Sequence, residues 1–118
     1  MKREYKAFNS KQLFEYIKEQ YCIEPEYLWN DTPEVAVFRH KSTKKWFGLL
    51  MNENGEEYFN VKTEPDYSDL LRNTYDYIIP AYHMNKEHWN TIIISRKVDI
   101  ELVYELINRS FELTKKHK

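Results

Sequence analysis

Residues 80–89 (Pro80, Ala81, Tyr82, His83, Met84, Asn85, Lys86, Glu87, His88, Trp89) gather two imidazoles, a cation, an amide and two large aromatics around one expected turn. Surface loops seldom carry so much ring area without something to touch. Tyr82 and Trp89 can stack on flat ligands, while His83, Lys86 and His88 can meet anionic oxygens. A second concentration of charge lies at 39–51, where Arg39, Lys41, Lys44 and Lys45 stand with one histidine and no acid. Residues 15–34 are its counterpart, holding six acids and a single lysine. The formal net charge is only −1, so no global field draws the chain to nucleic acid. Segregation along the chain nevertheless allows a local basic surface.

Glycine usage narrows the chemistry. Only Gly48 and Gly55 exist, whereas a dinucleotide fingerprint needs three glycines and a phosphate-cradling loop needs two, followed by Lys and Ser or Thr. No serine sits in a nucleophile elbow. His83 and His88 are spaced unlike any zinc signature, and a site across the turn would need a third ligand such as Glu87. Glu56 and Glu57 point to opposite faces of a strand and cannot act as a carboxylate pair. Cys22 is the single cysteine, which excludes an internal disulfide and a cysteine metal cluster, and reads as a small side chain at a helix end. The expectation is a protein without catalytic residues, metal or cofactor.

The elements that must position these residues follow from caps and periodicity. Asn9 with Gln12 three residues on resembles a capping box, and Phe8 can staple to Leu13, so 10–21 reads as an amphipathic helix with Leu13, Phe14, Ile17 and Tyr21 on one stripe. Residues 35–40 and 45–52 read as strands joined by the basic loop 41–44. Asn54-Gly55 is the strongest hairpin signal in the chain. It sets Glu53 opposite Glu56, hence Phe47 opposite Lys62 and Lys45 opposite Glu64. Trp46, Leu50, Phe59 and Val61 should then share one face, and Phe47, Leu49, Met51, Tyr58 and Lys62 the other. The same register brings Lys62 to the sheet end that carries Arg39, Lys41, Lys44 and Lys45.

After Pro65, Asp66 and Ser68 offer caps for a short helix with Leu70 and Leu71 inward. Residues 78–83 and 88–95 make a second strand pair, and Asp99 caps a final helix with Leu102, Val103, Leu106, Ile107 and Leu113 at helical spacing. The chain should be one α+β domain in the order α-β-β-β-α-β-β-α. Two layers result, an antiparallel five-stranded sheet with helices mainly on one face.

Several of these residues also carry a resemblance. Trp29 with Pro33 ahead of a strand, Val37-Phe38-Arg39-His40, Lys45-Trp46-Phe47-Gly48, Val61-Lys62, the 80–89 run and Ser110-Phe111-Glu112-Leu113 together resemble the MmcQ/YjbR family of small bacterial proteins. The likeness spans most of the chain. It implies the same two-layer fold and DNA as a partner, since members are described as DNA-binding largely by fold and inference. Two departures stand out: the link between the second and third strands is trimmed to a tight turn, and Phe111 replaces the Tyr the pattern favours.

With 118 residues, 42% of them hydrophobic and 31% charged, the chain is long enough for one core. No apolar run approaches the roughly 18 residues of a membrane span, and 1–9 lacks the apolar stretch of a signal peptide, so a cytoplasmic address is expected. The leading functional expectation is a nucleic-acid-binding module. Arg39, Lys41, Lys44, Lys45 and Lys62 would hold phosphates, with Trp46 or Tyr82 stacking and His83, Lys86 and His88 assisting. A protein-binding adaptor or homodimer would instead use the face of Phe47, Leu49, Met51 and Tyr58. A small-molecule binder would line its pocket with Trp46, Tyr82 and Trp89. The bland alternative makes Tyr82 and Trp89 core residues and the lysines a solvated loop.

Overall fold

The computed structural model describes residues 4–81 and 84–115. Asn9 has extended backbone, and its Oδ1 accepts the Gln12 amide at 2.9 Å, which opens α1, Ser10–Tyr21. Phe8 and Leu13 are both buried, as a staple requires. The helix ends at Cys22, whose backbone is left-handed with φ of 57° and whose N–H donates to the Lys18 carbonyl. Glycine is the usual occupant of such a position. The Cys22 thiol is exposed.

Five strands follow the expected order: β1 (Ala36–Arg39), β2 (Trp46–Glu53) and β3 (Glu56–Lys62), then α2 (Pro65–Thr74), β4 (Ile78–Pro80), β5 (Trp89–Ile93) and α3 (Ile100–Thr114). They form one antiparallel sheet ordered β1-β2-β3-β5-β4. Asn54 and Gly55 both take positive φ, at 54° and 80°, so the turn closes with Glu53 opposite Glu56. Asp99 accepts the Leu102 amide and starts α3.

The start of α2 departs from expectation. Neither Asp66 nor Ser68 caps it: the preceding residue is Glu64 without a side-chain cap bond, and Pro65 in the first turn has no N–H to satisfy. Ser68 turns inward instead, within reach of Thr63 and Asn90. Leu71 is 2% exposed but Leu70 is 60% exposed. Consecutive helical residues are rotated by about 100°, so only one of the pair can face the core.

The main core lies between the sheet and α1 with α3, around Phe38, Leu50, Phe59, Val61 and Ile92. Tyr16 stacks on Tyr104 and Tyr21 on Phe111, each at 3.8 Å, which lays α1 beside α3. Between these stacks Asn108 donates to the Tyr16 oxygen at 2.8 Å and accepts from the Tyr21 hydroxyl. The Phe59 ring lies over Gly48, where an added Cβ would meet Phe59 Cζ at 2.7 Å. Glu26 exchanges two 2.8 Å backbone hydrogen bonds with Val37 and so covers part of the outer edge of β1. Among the described residues no helix is long and apolar enough to cross a membrane.

Candidate functional site

Strict alternation along β2 puts Trp46 on the helix side with Leu50; the structure reverses it. Phe38 pairs with Gly48 but Arg39 pairs with Trp46, so Phe47 is the extra residue of a bulge. Phe47 turns under the helices, fully buried against Tyr21, His40 and Phe111. Trp46 turns outward to join Val37, Leu49 and Met51 in a small apolar cluster on the helix-free face. The hairpin loop sets this up: His40 N–H donates to the Lys45 carbonyl at 2.9 Å, and Lys44 closes the turn with φ of 65°.

Ser110 of α3 works beside the bulge. Its hydroxyl donates to the Phe47 carbonyl at 2.7 Å and accepts the Lys62 amide at 2.9 Å. A side-chain hydroxyl thus bridges the two strands where the expected register sets Phe47 opposite Lys62. The last Cα partners in that direction are Leu49 and Asn60. His40 is also drawn inward, 6% exposed, with Nε2 at 2.8 Å from Thr114 Oγ1. The Thr114 hydroxyl also lies 2.8 Å from the Ser110 carbonyl. Burial and the nearby Lys115 hold this imidazole below the usual histidine range, helped by Lys45 and opposed by Glu112 and the Phe111 carbonyl.

The outward cluster floors a groove of about 540 Å³. Trp29, from the segment before β1, meets Trp46 edge to face at one end. Met84 closes one side, packed on the cluster from the loop before β5. Among the described residues, the charged members of the lining are Asp31, Glu34 and Glu53.

Arg72 of α2 anchors the Met84 wall. Its Nε donates to Asn90 Oδ1 at 2.7 Å, and its Nη2 donates to the carbonyls of Trp89 and Lys86. The Asn90 amide in turn donates to Thr63 Oγ1 at 2.8 Å and Ser68 Oγ at 3.0 Å. Asn90, Thr63 and Ser68 are all buried, and each finds a partner, as buried polar groups must.

The expected site residues separate into groups. Lys41, Lys44 and Lys45 are exposed on the β1–β2 loop. Lys62 pairs with Trp89 across β3 and β5, so it and exposed Lys86 lie towards the same end of the sheet. Arg39 is spoken for: its guanidinium grips Glu26 through two donors, which lowers the carboxylate's affinity for protons. His88 is half-exposed, 3.8 Å from the Glu87 carboxylate. Trp89 is half-buried at the start of β5. Tyr82 and His83 lie outside the described residues. Sequence reasoning did not assemble Trp29, Met84 and the three carboxylates into a site, although Trp29 within a Pro-bracketed link was the available signal.

The family model described as YjbR matches residues 18–113. This chain belongs to the YjbR family. Bacillus subtilis (strain 168) carries a protein named YyaQ that is 42% identical, with 89% of this chain and 97% of that protein covered. The Escherichia coli O157:H7 protein YbdF is 36% identical over 75% of this chain and 70% of its own length. A Northeast Structural Genomics Consortium crystal structure from Pseudomonas syringae superposes with a TM-score of 0.85 at 35% identity, covering 92% of this chain and all of that one (100%). Deinococcus radiodurans protein DR2400 gives 0.75 at 25% identity, over 89% of this chain and 77% of the other.

Within this YjbR chain, the residues that carried the resemblance have physical duties. Gly48 admits the Phe59 ring, Ser110 bridges β2 and β3, Phe111 covers His40, and Trp29 with Trp46 walls the groove.

Proposed function

We propose that this YjbR-family protein is a non-catalytic binding module whose working surface is the groove on the helix-free face, and that it holds a small molecule with a flat apolar body. The observation that carries this reading is the pairing of Trp29 and Trp46 at the mouth of an apolar concavity of about 540 Å³. That volume falls in the range typical of small-ligand sites, roughly 300–1,000 Å³. Rings, thioethers and aliphatic groups make up its floor, which suits stacking and burial of a flat surface rather than bond chemistry.

Titration with quinoline, followed through the indole N–H resonances, tests the reading. Saturable shifts of the Trp29 and Trp46 signals, abolished by Trp46→Ala, are expected. Absence of saturable shifts with every flat probe, neutral or charged, overturns it.

A second reading keeps nucleic acid as the partner, supported by exposed Lys41 and Lys44 on one short loop with Lys62 towards the same sheet end. Arg39 is not counted, because Glu26 occupies it. Three phosphate contacts, from Lys41, Lys44 and Lys62, give a slope of log affinity against log salt near about −3 on duplex DNA. Fluorescence titrations of labelled duplex at two ionic strengths measure that slope, and a flat response removes this reading.

A further inference from the structure

We infer that Met84 is a reversible oxidation site: a hydroperoxide converts its thioether to the sulfoxide, which withdraws from the groove wall and weakens ligand binding. The loss of binding rests on the groove reading above; the oxidation itself does not. Three methionines occur in the sequence. Of the two that the structure describes, Met51 is 5% exposed within the apolar cluster. Met84 is half-buried, packed on that cluster from outside and lining the groove. Peroxide that enters the groove therefore reaches Met84 ahead of Met51.

In that step the sulfur lone pair takes the terminal oxygen of the hydroperoxide as the O–O bond breaks. The remaining oxygen keeps the proton and leaves as water or an alcohol, so sulfur is oxidised by two electrons and the peroxide reduced by two. A flexible apolar side chain becomes a strongly polar one. Met84 packs on Val37, Leu49 and Met51, whose side chains offer the new oxygen no hydrogen-bond donor. Holding it there costs more than leaving it in water, so the oxidised side chain turns out to solvent.

The surroundings permit this without unfolding. The Glu87 N–H donates to Asn85 Oδ1 at 2.8 Å and the Trp89 N–H to the Asn85 carbonyl at 2.9 Å. Arg72 holds the carbonyls of Lys86 and Trp89. The backbone after Met84 thus stays pinned while the side chain leaves. One wall of the groove is lost, and a flat ligand buries less of its surface. Because the change is confined to one side chain, methionine sulfoxide reductases restore the wall, the sulfoxide oxygen leaving as water while a dithiol is oxidised to a disulfide.

Limited treatment of the whole protein with hydrogen peroxide, followed by peptide mass spectrometry, indole N–H spectra and quinoline titration, tests the inference. Met84 should gain one oxygen well before Met51, the Trp46 signal should shift, and quinoline should bind roughly tenfold more weakly. Both epimer-specific methionine sulfoxide reductases with dithiothreitol should reverse all three changes. Met84→Leu keeps the wall apolar without the sulfur, so it should bind quinoline before and after peroxide alike, although the exposed Cys22 thiol remains. Oxidation of Met51 as fast as Met84, or a Trp46 signal unmoved by the Met84 sulfoxide, overturns the inference whatever quinoline does. Equal quinoline affinity before and after oxidation, or an equal loss in Met84→Leu, overturns the link to binding. If the untreated protein does not bind quinoline, the groove reading falls, while the mass spectra and the Trp46 signal still decide the oxidation site.

Discussion

Trp29 meets Trp46 with ring centroids 5.8 Å apart and planes at 82°. One ring comes from an irregular link and the other from a strand, so the groove wall depends on a contact that crosses between the two. Edge-to-face pairs of this kind are worth about 0.5–1.5 kcal/mol beyond the area they bury. Trp29 is 38% exposed, which favours the lower end. A double-mutant cycle of Trp29→Ala and Trp46→Ala, read by urea denaturation, should give a coupling of about 0.5–1 kcal/mol. Strictly additive losses would mean that the rings do not support each other.

Gly48→Ala should destabilise the fold by about 1–3 kcal/mol, the usual range for overpacking. The new methyl would stand 2.7 Å from Phe59 Cζ and 3.0 Å from Cε1, inside a closed core. Phe59→Leu in the Gly48→Ala background should recover part of the loss. Denaturation midpoints of the single and double variants measure both effects, and a neutral Gly48→Ala would contradict the described packing.

Ser110→Ala removes the hydroxyl that satisfies both the Phe47 carbonyl and the Lys62 amide. Leaving buried backbone groups without partners costs about 1–3 kcal/mol. Amide exchange should report the site directly: the Lys62 N–H should lose protection far more than the Leu50 N–H. Equal changes at both would point to general loosening instead.

His40 makes the protein's stability depend on pH. Its imidazole sits below the ordinary histidine range, so the unfolded chain binds the proton more readily than the folded one. The His40 contribution is complete above about pH 6.5 and declines as pH falls from there towards the folded value. Melting temperature should therefore drop more steeply on mild acidification in the parent than in His40→Gln. Parallel curves would show that His40 does not titrate as its surroundings dictate.

Arg72 binds three oxygen acceptors near the loop before β5. Arg72→Gln should leave the sheet intact but release Met84, which broadens its methyl resonance and weakens quinoline binding severalfold. Unchanged affinity and an unchanged Met84 signal would detach the clamp from the groove.

Much of the architecture was legible because it rests on local rules. Asn9, Asp99 and the Asn54-Gly55 turn each specify their element within four residues, and the resulting order and turn register agree with the structure. Illegible features depend on distant partners. The bulge at Phe47 arises where His40, Tyr21 and Phe111 gather from separate elements, and no short-range pattern announces it. Arg39 looked like a phosphate ligand because Glu26 lies thirteen residues away on a link with no regular period. Leu70 and Leu71 were indistinguishable until the helix was placed on the sheet.

The inserted residue in β2 decides which of two adjacent aromatic rings is presented to the outside. A relative that gained or lost one position between His40 and Gly48 would exchange its interior ring for its exterior one without changing composition. Comparison of ligand preference across such chains must therefore begin by counting that hairpin, since identical letters on either side of a different count describe opposite surfaces.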